Sequence, residues 1–259
     1  MEHLTKIKTF IHPDANAACC AVAREIAQLI HSRNTAGKTT VLGLATGSTP
    51  VRVYRELARL HKEETLSFRN AITFNLDEYW GLSGDHDQSY RFFMNQHLFS
   101  QIDIPLWNTH VLNGTAQNAD WECRAFEDRI RAVGGVDLWL LGIGGNGHIA
   151  FNEPSSHPDS RTRLVDLAPQ TIEANSDGRF FKDSNAVPRS ALSAGIGTIR
   201  DARKIVLLAT GNNKATAVAT ALEHPSSSDC PASLLQDHSD CSFVLDEEAA
   251  SKLKAHTRL

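Results

Sequence analysis

Several short stretches of this chain carry residue types that could perform acid-base chemistry on a small anionic molecule. In LDEYWGL (76–82) two adjacent acids, Asp77 and Glu78, come directly after an apolar run. A carboxylate held there in partly desolvated surroundings can serve as a general base. Neighbouring side chains on an extended segment point apart. One of the pair is therefore expected to face a substrate, and a cap or ion-pair role is the ordinary alternative for either.

GIGGNGHIAFNEP (142–154) joins a glycine-rich turn to His148 and Glu153. Gly142, Gly144 and Gly147 have the formal spacing GxGxxG, with Asp166 further on as a dinucleotide fingerprint would want. That fingerprint opens a long helix, whereas Pro154 and Pro158 interrupt the residues downstream of the glycines, so a dinucleotide site is rejected. The glycines are read instead as allowing close approach of backbone to a ligand. His148 and Glu153 then project into the site, the carboxylate holding the imidazole ring and supporting its uptake of a proton. A structural histidine with Glu153 as a cap is the competing reading.

ATGSTP (45–50) links an apolar run to a helix start, which places Gly47, Ser48 and Thr49 where free amides and the helix dipole favour an anion. Pro50 suits a first helical turn. The stretch lacks the GK[ST] ending of a nucleotide loop, and an ordinary capped turn would look the same. Arg179 in DGRFF and Lys214 in TGNNKA could clamp a phosphate, the first as a fork and the second as a point charge. HEXXH, GxSxG and paired CxxC patterns are absent, so the zinc-protease, serine-hydrolase and structural-zinc readings have no basis. Neither a cofactor-binding residue nor a metal ligand is expected.

The elements that must position these residues alternate along the chain. TTVLGL (39–44), AITFN (71–75), HVLN (110–113), VDLWLL (136–141), KIVLLA (204–209) and CSFVLD (241–246) are expected as strands. Helices are expected over 14–31, 51–62, 89–99, 120–131 and 213–222. Strands apolar on both faces belong to a sheet covered on both sides. The fold expected is α/β: a single Rossmann-like domain over 1–259, with an open, mostly parallel sheet and helices on both faces. HPSSSDCP (224–231) is read as a surface loop. Ligands of such sheets bind beyond the carboxyl ends of the strands, which is where the loops carrying these residues fall.

Composition narrows the partners. A net charge of -4, with the 26 Lys and Arg scattered, argues against nucleic acid. No segment approaches the roughly 18 apolar residues of a membrane span. The start of the sequence lacks the features of a secretory signal, which makes cytoplasm the expectation. Five cysteines without paired spacing are read as free thiols. Oligomeric state is left open, a homo-oligomer included.

LGLATGSTP, FNLDEYWGL, SYRFFMNQHLF, GIGGNGHIAFNEP, SRTR, GRFF, VPRSAL and GIGTI, in that order, resemble the glucosamine-6-phosphate deaminase family. FNLDEYWGL and GHIAFNEP are the specific parts. The resemblance implies a phosphorylated amino sugar as substrate, converted to fructose 6-phosphate and ammonia. It implies that Asp77 moves a proton between C2 and C1, and that His148, assisted by Glu153, opens the sugar ring. Gly47, Ser48, Thr49, Arg179 and Lys214 fall on positions that bind the phosphate in the family.

Two departures stand out. Asn146 occupies a position where some members carry Asp; Asn can orient the imidazole but cannot stabilise its charged form by charge. Allosterically activated members have a basic residue two positions beyond the second Arg of SRTR and extend further at the C-terminus, whereas here Leu164 and Val165 follow Arg163 and the sequence ends at Leu259. Weak or absent activation by N-acetylglucosamine 6-phosphate is the expectation. Rival readings are a galactosamine-6-phosphate deaminase, a 6-phosphogluconolactonase-like hydrolase, and a non-enzymatic sugar-phosphate sensor. LDEYWGL and Glu153 speak against the hydrolase. A further strand-like run is expected to begin within the first ten residues, so no helix-turn-helix is expected ahead of it, and the charge balance disfavours DNA.

Overall fold

The computed structural model describes residues 7–176, 181 and 186–257. In chain order the first elements are β1 (Lys8–His12), α1 (Ala15–Thr35), β2 (Thr40–Leu44), α2 (Pro50–Glu64), β3 (Ala71–Asn75), β4 (Asp77–Tyr79), α3 (Tyr90–His97) and β5 (Thr109–His110). They continue with α4 (Ala119–Ala132), β6 (Leu138–Leu141), β7 (Arg163–Asp166), α5 (Pro169–Asn175) and β8 (Ser190–Ser193). The last are α6 (Ile196–Arg200), β9 (Ile205–Ala209), α7 (Ala215–Glu223) and β10 (Cys241–Asp246).

Seven strands form one sheet in the order β1-β10-β9-β6-β2-β3-β5, and every neighbouring pair is parallel. Alternate residues of each strand feed two cores. In β9, Ile205 and Leu207 pack with Phe126 and Ile130 of α4 and Val218 of α7. Val206 and Leu208 turn to the opposite face, against Val22 and Ile26 of α1 and Val53 and Leu57 of α2. Burying such a side chain contributes about 1.5–3 kcal/mol, and two-sided burial is why these runs are continuously apolar. The expected open parallel sheet with helices on both faces is what the chain forms.

Helix starts follow their capping chemistry. Asp14 accepts from the Ala17 amide at 2.8 Å, Asn118 from Trp121 at 2.8 Å and Ser89 from Phe92 at 3.3 Å. The structure departs from the sequence reading in several places, α5 and α6 among them, which were not expected. The strand expected over 110–113 is only β5, two residues long. A second sheet, β4-β8-β7, is antiparallel and was not anticipated; it has its own apolar cluster of Tyr79, Phe151, Leu167, Ile172, Val187 and Ala191. The surface loop expected over 224–231 is exposed or half-buried from His224 to Asp229, and its last two residues, Cys230 and Pro231, are buried. Among the described residues no helix is long and apolar enough to cross a membrane.

Strand order reverses between β2 and β6. From β2 the chain steps outward through β3 to β5, then returns to the other side of β2 for β6, β9 and β10. The crevice beyond the carboxyl ends at such a reversal is where open α/β sheets bind ligands.

Candidate active site

Asp77 sits where the two sheets meet. The Leu76 amide donates to the Leu44 carbonyl at 3.2 Å, holding the segment to the end of β2, while the Leu76 carbonyl accepts from the Ala194 amide at 2.7 Å. The next residue, Asp77, pairs with Ser193 of β8. Its side chain is buried, and no described donor reaches its carboxyl. Burial first, and then the adjacent Glu78 charge, push that carboxyl up to about 8. Tyr54 of α2, Tyr79 and Tyr90 are the other titratable groups that sense it, each raised in turn mainly by burial.

Glu78 has the opposite surroundings. Its carboxylate accepts from the amides of Tyr79 at 2.9 Å, Tyr90 at 2.9 Å and Arg91 at 3.0 Å, and from the Ser89 hydroxyl at 2.8 Å. It anchors the first turn of α3, whereas no described donor reaches Asp77.

His148 lies at the end of the glycine turn after β6. The Gly144 amide donates to the His148 carbonyl at 2.9 Å, and the Gly147 amide to the Gly144 carbonyl at 3.0 Å. A Cβ on Gly144 would lie 2.2 Å from the imidazole Cε1, so the ring rests on that glycine. Its Nδ1 is 3.4 Å from Glu153 Oε2, an ion-pair separation longer than a well-formed hydrogen bond. Asn146 Nδ2 donates to the same oxygen at 2.7 Å, and Asn146 Oδ1 accepts from the His148 amide at 3.2 Å. The Thr171 hydroxyl of α5 donates to Glu153 Oε1. Burial pushes Glu153 upward, but His148, Thr171 and Asn146 together outweigh it and hold the carboxyl down at about 2. No helix follows the glycines until α5, in keeping with the rejection of a dinucleotide site.

Two contacts tie this segment to Asp77. The Phe151 amide donates to Ser193 Oγ at 3.1 Å, and Asn152 Nδ2 to the Ala194 carbonyl at 2.8 Å. The His148 segment and Asp77 thus hang from the same end of β8. Gly47, Ser48 and Thr49 form the loop from β2 into α2, with φ +106° at Gly47. Pro50 opens the helix, and Thr49 makes no side-chain capping bond. Since β2 lies between β3 and β6, this loop sits between those carrying Asp77 and His148. Lys214 follows β9, the strand on the far side of β6, in the short turn Asn212–Lys214 ahead of α7. That loop is held by the Gly211 amide on the Asp246 carboxylate at 3.0 Å. Burial lowers the Lys214 ammonium, and no described carboxylate pairs with it. Arg179 lies outside the described residues.

The sequence reading missed Thr171. It belongs to a short helix with no strong periodic signal, and a lone threonine far from the glycine turn gives no hint that it faces Glu153. Tyr90 was also missed as a group sensing the Asp77 carboxyl, although SYRFF carries it.

Loops from four adjacent parallel strands therefore bring a buried acid, an imidazole-carboxylate pair and a helix N-terminus to the reversal point of a doubly wound α/β sheet, and that is the class of protein this fold and site define. Residues 13–243 match the family of glucosamine-6-phosphate isomerases/6-phosphogluconolactonase. The chain belongs to that family. It is 52% identical over 240 residues to glucosamine-6-phosphate deaminase 2 of Giardia intestinalis, covering 92% of this chain and 89% of that protein. With the glucosamine-6-phosphate deaminase of Shewanella woodyi it shares 54% identity over 214 residues, covering 83% and 80%. A solved monomeric glucosamine-6-phosphate deaminase superposes with a TM-score of 0.91 at 43% identity, covering 95% of this chain and 100% of that one. The 6-phosphogluconolactonase of Trypanosoma cruzi, at 21% identity and a TM-score of 0.78 over 98% of this chain and 99% of its own, shares the fold.

Proposed function

We propose that this protein is an enzyme that isomerises and deaminates glucosamine 6-phosphate, giving fructose 6-phosphate and ammonia. One observation carries the reading: in a chain about half identical to proteins named glucosamine-6-phosphate deaminase, a buried Asp77 carboxyl pushed up to about 8 shares one strand end with the His148–Glu153 pair.

His148, oriented by Glu153, accepts the C1 hydroxyl proton as the bond between C1 and the ring oxygen breaks, and returns a proton to that oxygen. The open chain carries an aldehyde at C1, which acidifies the proton on C2. Asp77 removes that proton, and the electron pair forms a C1–C2 double bond as the carbonyl oxygen takes up a proton. Return of the proton to C1 leaves an imine at C2. Water adds there, the C2–N bond breaks, and ammonia departs from the ketone. A base with its carboxyl near 8 is ionised often enough to take the proton and basic enough to hold it during transfer. The C1 and C2 carbons exchange oxidation level, so the steps call for no outside electron carrier. The amides of Gly47, Ser48 and Thr49 at the start of α2, with Lys214 and Arg179, bind the phosphate in this reading.

A coupled ammonia assay on the wild type and on Asp77→Asn tests it. The variant is expected to lose roughly 10²–10⁴-fold in turnover, the usual range for a positioned general base. A wild type that releases no ammonia from glucosamine 6-phosphate ends the reading, and a variant with near-normal rate removes Asp77 as the base. Proton release from 6-phosphogluconolactone, run in parallel, checks the hydrolase alternative.

A further inference from the structure

The segment that carries His148 and Glu153 is not held by its own hydrogen bonds alone. Two of its residues, Ala150 at φ +50° and Ser155 at φ +73°, adopt a left-handed backbone that non-glycine residues rarely occupy. Such conformations are strained for residues with a side chain and persist only where the surroundings impose them. The surroundings here include the chain from Ser227 to Ser233, which the proposed chemistry does not use.

That stretch grips the segment at both ends. The Ala232 amide donates to the Gly147 carbonyl at 2.9 Å, immediately before His148. The Ser228 carbonyl accepts from the Ser155 amide at 2.8 Å, two residues beyond Glu153. Under Gly147, whose φ is +86°, lies the Cys230 side chain; a Cβ on that glycine would come within 2.5 Å of Cys230 Sγ. The gripping stretch is itself closed by the buried Ser233 hydroxyl, which accepts from the Ser227 amide at 2.9 Å and donates to the Ser227 carbonyl at 3.0 Å. The Ser233 amide completes the turn on the Cys230 carbonyl at 2.7 Å.

We propose that residues 227–233 are a clamp that fixes the separation of His148 from Glu153, with Cys230 and Ser233 as positioning residues for the imidazole-carboxylate pair. Both act through the backbone of Gly147 and Ser155 and neither touches substrate. The inference rests on the functional reading above only for its kinetic readout.

The test compares Cys230→Ala and Ser233→Ala with wild type and with Ser226→Ala, an exposed position just ahead of the clamp. Turnover and KM are measured with glucosamine 6-phosphate, and the Glu153 carboxyl is titrated by carbon NMR, assigned with Glu153→Gln. Loss of either anchor is expected to reduce kcat roughly 10-fold, well inside the 10²-fold that a 1 Å misplacement can cost. KM should stay within about twofold, because the anion-binding loop hangs from another strand. The Glu153 carboxyl should titrate at higher pH than its wild-type value of about 2 as His148 and Asn146 move off it. Ser226→Ala should match wild type in all three. Should Ser233→Ala fail to fold, Cys230→Ala, which removes only a sulfur atom, decides alone. Wild-type kcat together with a wild-type Glu153 titration in the folded variants overturns the clamp. A wild type without ammonia release overturns the functional reading instead, and the Glu153 titration still decides the clamp.

Discussion

Asp77 and Glu78 are adjacent and nearly identical in chemistry, yet among the described residues Glu78 meets four donors and Asp77 meets none. The difference comes from where each side chain points once β3 gives way to β4. Asn146 shows the same dependence on partners: its amide donates to Glu153 and its oxygen accepts from the His148 backbone. Asn146→Asp replaces that donor with a like charge, so the Glu153 carboxyl is expected to rise from about 2. Turnover should persist with a displaced pH profile. An unchanged pH-rate curve would show that Asn146 and Glu153 do not sense each other. At this scale the sequence was informative about kinds of residue: acids after a strand, and a histidine after glycines. It could not show which acid would be capped, because three of the four donors to Glu78 come from 11 to 13 residues away. Nor could it show Thr171 reaching Glu153.

Helix α3 depends on a carboxylate outside itself. Ser89 caps the helix through Phe92 and also donates to Glu78, so one hydroxyl serves both the helix end and the residue beside Asp77. Ser89→Ala is expected to cost about 1–2 kcal/mol, as capping losses do. For a chain of this size that lowers Tm by roughly 2–8 °C, measurable by thermal unfolding; an unmoved Tm would show the cap to be idle. The large sheet was readable because strands such as KIVLLA are apolar on both faces and only a doubly covered sheet accommodates that. The small sheet was not. β4 has three residues and β7 and β8 four each, and β4 and β8 pair across more than a hundred positions, beyond the reach of any local periodicity. That sheet supplies the partner strand of Asp77, so part of the candidate site was hidden with it.

Across the whole molecule, the burial that would make Asp77 a base in the proposed reaction also lowers stability. Below the ordinary carboxylate range the group is protonated in both folded and unfolded chains. From there up to about 8 the folded chain keeps a proton that the unfolded chain has released. Stability from this residue is therefore full in acid, falls as pH rises, and is lost once pH passes about 8. Asp77→Asn, uncharged at every pH, should unfold at a temperature close to wild type near pH 4 and on the order of 10 °C higher near pH 8. Melting curves at the two pH values measure this, and a variant no more stable than wild type at pH 8 would mean that the carboxyl is not strained by its burial. If Asp77 is the base proposed above, such a gain would be the usual trade of stability against activity.

The single residue Leu76 is bonded through its amide to β2 of the large sheet and through its carbonyl to the end of β8 in the small one. Asp77 therefore rides on a seam. Any sliding of one layer over the other is delivered to its carboxyl with no flexible linker to absorb it, so the rigidity of the aromatic packing among Tyr79, Tyr90 and Phe151 bears directly on how steadily that carboxyl is aimed.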